Sequence, residues 1–153
     1  MAQNDETLTD EQYNTFRHWL VASDNLETYL NRALAFFGLS MTEYRMLVVL
    51  SEAPGSRLRM SDLANDAYHS LSRSSHTIAR METRGWVQRT PYDGDRRVTY
   101  VALTPEGVAL YERAKPHHQA AIRRVFVEAV GPDQIPAFDA TMQRLIAAAS
   151  APR

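Results

Sequence analysis

Apolar residues recur at three- and four-residue intervals through Tyr13, Phe16, Trp19/Leu20, Leu26, Tyr29/Leu30, Ala33/Leu34 and Phe37. This period predicts one long amphipathic helix, opened by the capping box Thr9-Asp10-Glu11-Gln12 and closed at Gly38, which suits a left-handed residue past a helix end. A second capping box, Ser40-Met41-Thr42-Glu43, starts a helix that carries Leu47, Val48 and Leu50 inward to about Ala53, where Pro54-Gly55 stops it. After a short extended piece from Arg57 to Met60, Ser61 is expected to cap a brief helix with Leu63, Ala64 and Ala67 inward. The turn Tyr68-His69-Ser70 then leads into a fourth helix that ends at Gly85.

Past Gly85 the period shortens. Trp86–Thr90 and Val98–Leu103 are β-rich runs joined by Pro91-Tyr92-Asp93-Gly94-Asp95, a turn that contains Asp-Gly, and together they predict a hairpin. Thr104 caps a fifth helix with Pro105 at its first position, and Val108, Tyr111, Ala114, Ala121/Ile122 and Val125/Phe126 carry it to Gly131-Pro132. A sixth, from about Asp133 to Ala149, aligns Ile135, Phe138, Met142, Leu145/Ile146 and Ala149, with Pro136 tolerated in its first turn. The expected fold is mainly α with a small β-hairpin, the hairpin lying between the fourth and fifth of six helices. The terminal helices have long apolar stripes and little else in the chain to bury them against, so a two-fold homodimer in which they interlock is expected. Residues 1–38 and 105–153 would then form a helical dimerisation region around a central 39–104 domain, in one continuous folded unit.

Composition narrows the chemistry. The 153 residues include no cysteine, which removes thiol nucleophiles, disulfides, thiolate metal sites and thiol-based redox sensing. The polar start and the short apolar runs predict an untargeted, cytoplasmic chain with no membrane span. The net charge is −1, but it is unevenly distributed. Residues 1–50 hold three arginines against seven acids, whereas residues 70–100 hold six arginines against three acids. Local potential, not the total, decides whether a chain attracts a polyanion, and the middle is the basic part.

The fourth helix sorts into two faces. Ser74, Ile78, Met81 and Gly85 fall inward, whereas Ser72, Arg73, Ser75, His76, Ala79 and Arg80 fall outward. Short hydrogen-bonding groups beside longer cations suit the major groove of duplex DNA. Serine, threonine and histidine near the helix start reach base edges or phosphates without bulk, and Arg73 can fork onto a guanine. Ser70, Ser72, Arg73, Ser75, His76, Thr77 and Arg80 are therefore the expected DNA contacts, and the bland reading is an ordinary solvated face. The hairpin weighs against that reading. Arg96 and Arg97 follow its turn, where a wing could set a guanidinium in the minor groove with Asp95 orienting it. A basic hairpin directly after a helix-turn-helix makes a winged helix-turn-helix.

Four stretches resemble the MarR family of bacterial regulators, and the resemblance covers nearly the whole chain. They are Thr42-Glu43-Tyr44-Arg45-Met46-Leu47, Met60-Ser61-Asp62-Leu63-Ala64, Met81-Glu82-Thr83-Arg84-Gly85-Trp86-Val87, and Asp95 through Thr104. The last matches the family's wing signature Asp-x-Arg, five residues, Leu-Thr. The resemblance implies a homodimer on a pseudo-palindromic operator, repression of neighbouring genes, and release by a small, often aromatic and anionic, effector. Carried over by position, Arg97 would be the minor-groove arginine and Asp95 its partner. The serine- and histidine-rich stretch Tyr68–His76 departs from the usual start of the recognition helix, so no operator sequence can be carried over.

An effector site in the family would draw on the first, second and fifth helices. Arg17, His18 and Trp19 with Tyr44 and Arg45 could supply an aromatic wall and a cationic anchor. The competing readings are a core position for Trp19 and a structural ion pair for Arg45. Adjacent His117 and His118 point about 100° apart on a helix and do not readily chelate one ion, so no metal and no cofactor is expected. No nucleophile triad, phosphate loop or His-Glu-x-x-His stands in the sequence, and an enzyme is not expected. A winged-helix protein-interaction module, an activator and an effector-free regulator remain as alternatives.

Overall fold

The structure is a computed structural model that describes residues 7–92 and 95–150, leaving aside the side chains of Tyr92, Asp95, Arg96 and Arg97. Its elements are α1 (Asp10–Ala35), α2 (Met41–Glu52), β1 (Arg57–Arg59), α3 (Met60–Asp66), α4 (Leu71–Thr83), β2 (Val87–Tyr92), β3 (Asp95–Leu103), α5 (Pro105–Ile122) and α6 (Ile135–Ser150). The path of α5 runs on through a π-helical turn, Arg123–Val127, and a last α-turn, Glu128–Val130. Two compact units result, one of residues 31–119 and the other of 1–30 with 120–153; the division falls within α1 and α5.

In the 31–119 unit, Ser40 and Glu43 form the expected capping box at the start of α2. Gly38 has φ +67°, as a residue past a helix end should. The core gathers Leu34, Leu47, Leu50, Leu63, Ile78, Met81, Val87 and Val101, each 2% exposed or less. At about 1.5–3 kcal/mol for each large apolar side chain, this cluster dominates the stability of the unit. The sheet has three strands in the order β1-β3-β2, not the two of a simple hairpin. Leu58 pairs with Val101 and turns inward, whereas Arg59, Tyr100 and Thr90 share the opposite face.

Three local expectations are corrected. Helix α3 begins at Met60 with Arg59 as its N-cap and no side-chain cap, and the Ser61 hydroxyl instead donates to Asp62 Oδ1 at 3.3 Å. The strand ends at Arg59, paired with Tyr100, and the helix follows it directly, starting two residues before the Asp62 start that a cap at Ser61 would set. Secondly, the hairpin strands extend to Tyr92 and resume at Asp95, so the connection is shorter than the five residues expected. Lastly, α5 contains Pro116 and continues through the π turn, where a plain helix was expected.

Gly107 fixes the start of α5. A β-carbon there would collide with the Trp86 carbonyl, which itself accepts from Thr104 N at 3.1 Å. The Thr104 hydroxyl donates to Gly85 O at 2.6 Å and accepts from Gly107 N at 3.0 Å, so one threonine joins the end of α4 to the start of α5.

In the other unit, Thr9 and Gln12 close the predicted capping box: Thr9 N donates to Gln12 Oε1 at 2.9 Å and Gln12 N to Thr9 Oγ1 at 3.2 Å. Phe126 and Phe138 pack edge to face at 5.5 Å. Tyr13, Phe16, Trp19, Leu20 and Val21 on α1, with Leu145 and Ile146 on α6, stay exposed in the single chain. Trp19, an effector candidate whose competing reading is a core position, is 43% exposed in the single chain. No helix among the described residues is long and apolar enough to cross a membrane.

Candidate nucleic-acid interface

The α3–α4 turn is made by Tyr68 and His69. Tyr68 has φ +57° and an exposed ring, and its N–H donates to Asn65 O at 3.0 Å while His69 N donates to Ala64 O at 3.0 Å. Ser70 then caps α4, its hydroxyl accepting from Arg73 N at 3.3 Å. The helix buries Ser74, Thr77, Ile78 and Met81 and exposes Ser72, Arg73, His76, Ala79 and Arg80, with Ser75 half-buried.

Thr77, expected among the outward contacts, is 2% exposed, and its hydroxyl donates to Arg73 O at 3.1 Å. A threonine that bonds back one turn satisfies its own polar group, so it can share the core stripe with Ile78. That withdraws it from the exposed face.

Alongside α4, Ser40 and Thr42 of α2 face Ser72, Arg73, His76 and Arg80 across a cleft of about 540 Å³. Behind it sits Glu43, buried at 5% exposure. One carboxylate oxygen accepts from Ser40 N and Oγ, both at 2.9 Å; the other lies 3.8 Å from Arg80 Nε and 3.9 Å from Arg84 Nη1. Arg84 also donates to Gly38 O at 2.8 Å and stacks on Trp86 at 4.9 Å. These bonds fix α4 against the start of α2.

The sheet braces α4 from its other side. Arg89 Nη2 donates to Ser75 O at 2.8 Å, its N–H donates to Glu82 Oε1 at 3.1 Å, and its Nε lies 3.7 Å from Glu82 Oε2. On the far face of the sheet, Arg57 and Arg59 flank Tyr100, at 4.1 and 5.9 Å from its ring. Asp95, Arg96 and Arg97, the expected wing contacts, enter β3 through their backbone, and their side chains fall outside the described set.

Sequence reasoning missed Glu43 as a partner of α4, the brace at Arg89, and the hydroxyls of Ser40 and Thr42. The Ser-x-x-Glu spacing marked Glu43 as a cap. Nothing local marked its arginines, which stand 37 and 41 residues further on.

The five effector candidates divide between the two units. Arg17, His18 and Trp19 are exposed in one, as is Arg45 in the other. Tyr44 is buried against Tyr111, with ring centroids at 6.0 Å, and against His118 at 4.3 Å. Burial, with the nearby Tyr111 and Glu112 charges, pushes the Tyr44 phenol up to about 12, and burial lowers His118 below its ordinary value. His117 packs on Phe37 at 5.1 Å, so the adjacent histidines address different rings.

Residues 37–98 match the profile of the MarR family. The homoprotocatechuate degradative operon repressor of Escherichia coli is 30% identical over 106 residues, 69% of this chain and 70% of that protein. The regulator PecS of Dickeya dadantii is 30% identical over 95 residues, 61% of this chain, and the match spans only 57% of its length. Among solved structures, Sco3205, a MarR family transcriptional regulator from Streptomyces coelicolor in complex with DNA, superposes with a TM-score of 0.91 at 34% identity. That match covers 99% of this chain and 94% of Sco3205. With the helix-turn-helix, three-stranded sheet and wing signature already established, these likenesses make the chain a member of the MarR family of transcriptional regulators.

Proposed function

We propose that the chain binds double-stranded DNA as a homodimer and represses neighbouring genes from a pseudo-palindromic operator. The observation that carries this reading is the first two turns of α4. Their inward residues are locked in the core, while Ser72, Arg73 and His76 stand exposed beside a capped, electropositive helix end. In this reading Ser70, Ser72, Arg73, Ser75, His76 and Arg80 meet the major groove, and Asp95, Arg96 and Arg97 form the minor-groove wing. The apolar residues left exposed on α1 and α6 support dimerisation through residues 1–38 and 105–153. Release by a small aromatic anion completes the proposal and rests on the family resemblance.

Fluorescence anisotropy tests it, titrating the protein into the duplex that flanks its own gene and into a scrambled control at two salt concentrations. Binding is expected to prefer the flanking duplex, to weaken with salt and to saturate at one dimer per site. Arg73→Ala is expected to weaken specific binding by about 5- to 150-fold, the equivalent of about 1–3 kcal/mol. Arg97→Ala should weaken both duplexes and lower the salt slope by about one unit for each arginine removed. Equal binding to both duplexes, with both variants unchanged, would refute the reading.

A further inference from the structure

A second cleft, of about 430 Å³, opens where the end of α2, β1 and the α3–α4 turn meet. Its walls are apolar at Val49, Ala53 and Leu58, and Tyr68, 86% exposed, adds an aromatic side chain. Its charge is the reverse of the cleft beside α4: Glu52 and Asp66 line it, and no cationic residue does. Neither carboxylate has an ion-pair partner among the described residues. Arg57 and Arg59, which flank Leu58 in β1, lie on the opposite face of the strand and are turned onto Tyr100.

The placement of the two acids opposes helix stability. Glu52 is the last residue of α2 and Asp66 the last of α3, and neither helix has a basic residue in its last turn. A carboxylate at the negative end of a helix dipole is unfavourable, and here two such ends share one cleft. A cation seated between them relieves both. A hard metal ion needs about six oxygen ligands, whereas no three metal-ligating side chains gather among the described residues and the other walls are apolar. An organic cation brings apolar surface of its own, the volume falls in the range of about 300–1,000 Å³ that accepts drug-sized molecules, and the Tyr68 ring can meet its charged end.

We infer that this cleft binds a small organic cation with an apolar body, an aryl- or alkylammonium, its charge between Glu52 and Asp66 and its body on Val49, Ala53 and Leu58. The site shares no lining residue with the cleft beside α4 and does not depend on the DNA-binding reading. Its ligand is opposite in charge to the aromatic anion invoked above for release.

Heteronuclear NMR on the full chain tests the site, with benzyltrimethylammonium chloride as the probe and sodium benzoate and magnesium chloride as comparisons at constant ionic strength. The probe is expected to give saturable amide shifts centred on Glu52, Asp66 and Tyr68. Benzoate should leave these amides unmoved, and magnesium should bind at least about 10-fold more weakly than the probe. Glu52→Gln and Asp66→Asn together should weaken the probe about 10-fold. Tyr68→Asn, which keeps a residue that tolerates the φ of +57°, should weaken it about 2- to 5-fold, and Tyr68→Phe should bind as wild type does. All three positions are exposed, so the variants should match wild type in circular dichroism. No saturable shift at these amides, or benzoate bound as tightly as the probe, would overturn the inference. Magnesium bound as tightly as the probe would overturn it in favour of a hard-cation site. An unchanged affinity in the folded double variant would overturn it as well, because the carboxylates would then play no part.

Discussion

Replacing Glu43 separates two jobs that one carboxylate performs. Glu43→Ala removes the acceptor for Ser40 N and Oγ, and the loss of a cap of this kind costs about 0.5–2 kcal/mol. It also removes a buried methylene, worth about 0.8 kcal/mol, and two ion pairs whose arginines are half exposed, worth a few tenths of a kcal/mol each at most. A destabilisation of about 2–3 kcal/mol is therefore expected. Glu43→Gln keeps the stem and the acceptor oxygen for Ser40, replaces the oxygen facing the two guanidiniums with an uncharged NH2, and should cost about 0.5–1 kcal/mol. Urea unfolding followed by circular dichroism measures both, at a fixed protomer concentration because dimerisation shifts the midpoint. Raising the salt should shrink the glutamine effect and leave most of the alanine effect in place. A glutamine variant as unstable as the alanine variant would refute the reasoning, since it would place the stabilisation in the charge and not in the cap.

Gly107→Ala should destabilise by about 1–3 kcal/mol or more, because the new methyl meets the Trp86 backbone and not a flexible side chain; thermal melts against wild type read this. Tyr44 should remain protonated beyond the pH at which exposed phenols ionise, as followed by phenolate absorbance. Its folded value lies above the unfolded value of 10.0, so its contribution to stability is complete below pH 10.0 and is lost as pH rises towards about 12. His118 acts at the other end. Its folded value is lowered from 6.5, so the unfolded chain takes up the proton first and stability falls as pH drops through 6.5. His118→Gln should flatten that acid limb of the stability profile, and an unchanged limb would refute the assignment.

What the sequence made legible was local. Both capping boxes, the left-handed Gly38 and the two faces of α4 as far as Met81 follow from spacings of three and four residues, and the structure has them, whereas Gly85, expected inward, lies past the end of α4 and is exposed. The misplacement of Thr77 shows the limit of a polarity rule. Its hydroxyl found a carbonyl one turn back, so position on the stripe decided its burial. Strand β1 was read only as an extended piece because three residues carry no period, and its partner lies more than forty positions away in β3. A core position was the competing reading for Trp19 because an apolar stripe shows that a surface is to be covered and not by what, and in the single chain the ring is 43% exposed.

The same distinction applies to charge. Counting residues 70–100 gives a net of +3, yet the structure has already used part of it. Arg80 and Arg84 share Glu43, and Arg89 is turned onto Glu82, whereas Arg73 enters no ion pair among the described residues. A buried carboxylate is costly unless compensated, and here two guanidiniums compensate it while remaining half exposed, so they are not themselves desolvated. Glu43 thus lowers the potential along the later turns of α4 and leaves it highest near the helix start. Under the proposed DNA-binding reading, a duplex approaching this surface would be drawn first to Arg73 and the capped end of α4, and the graded potential would orient it before any base is read.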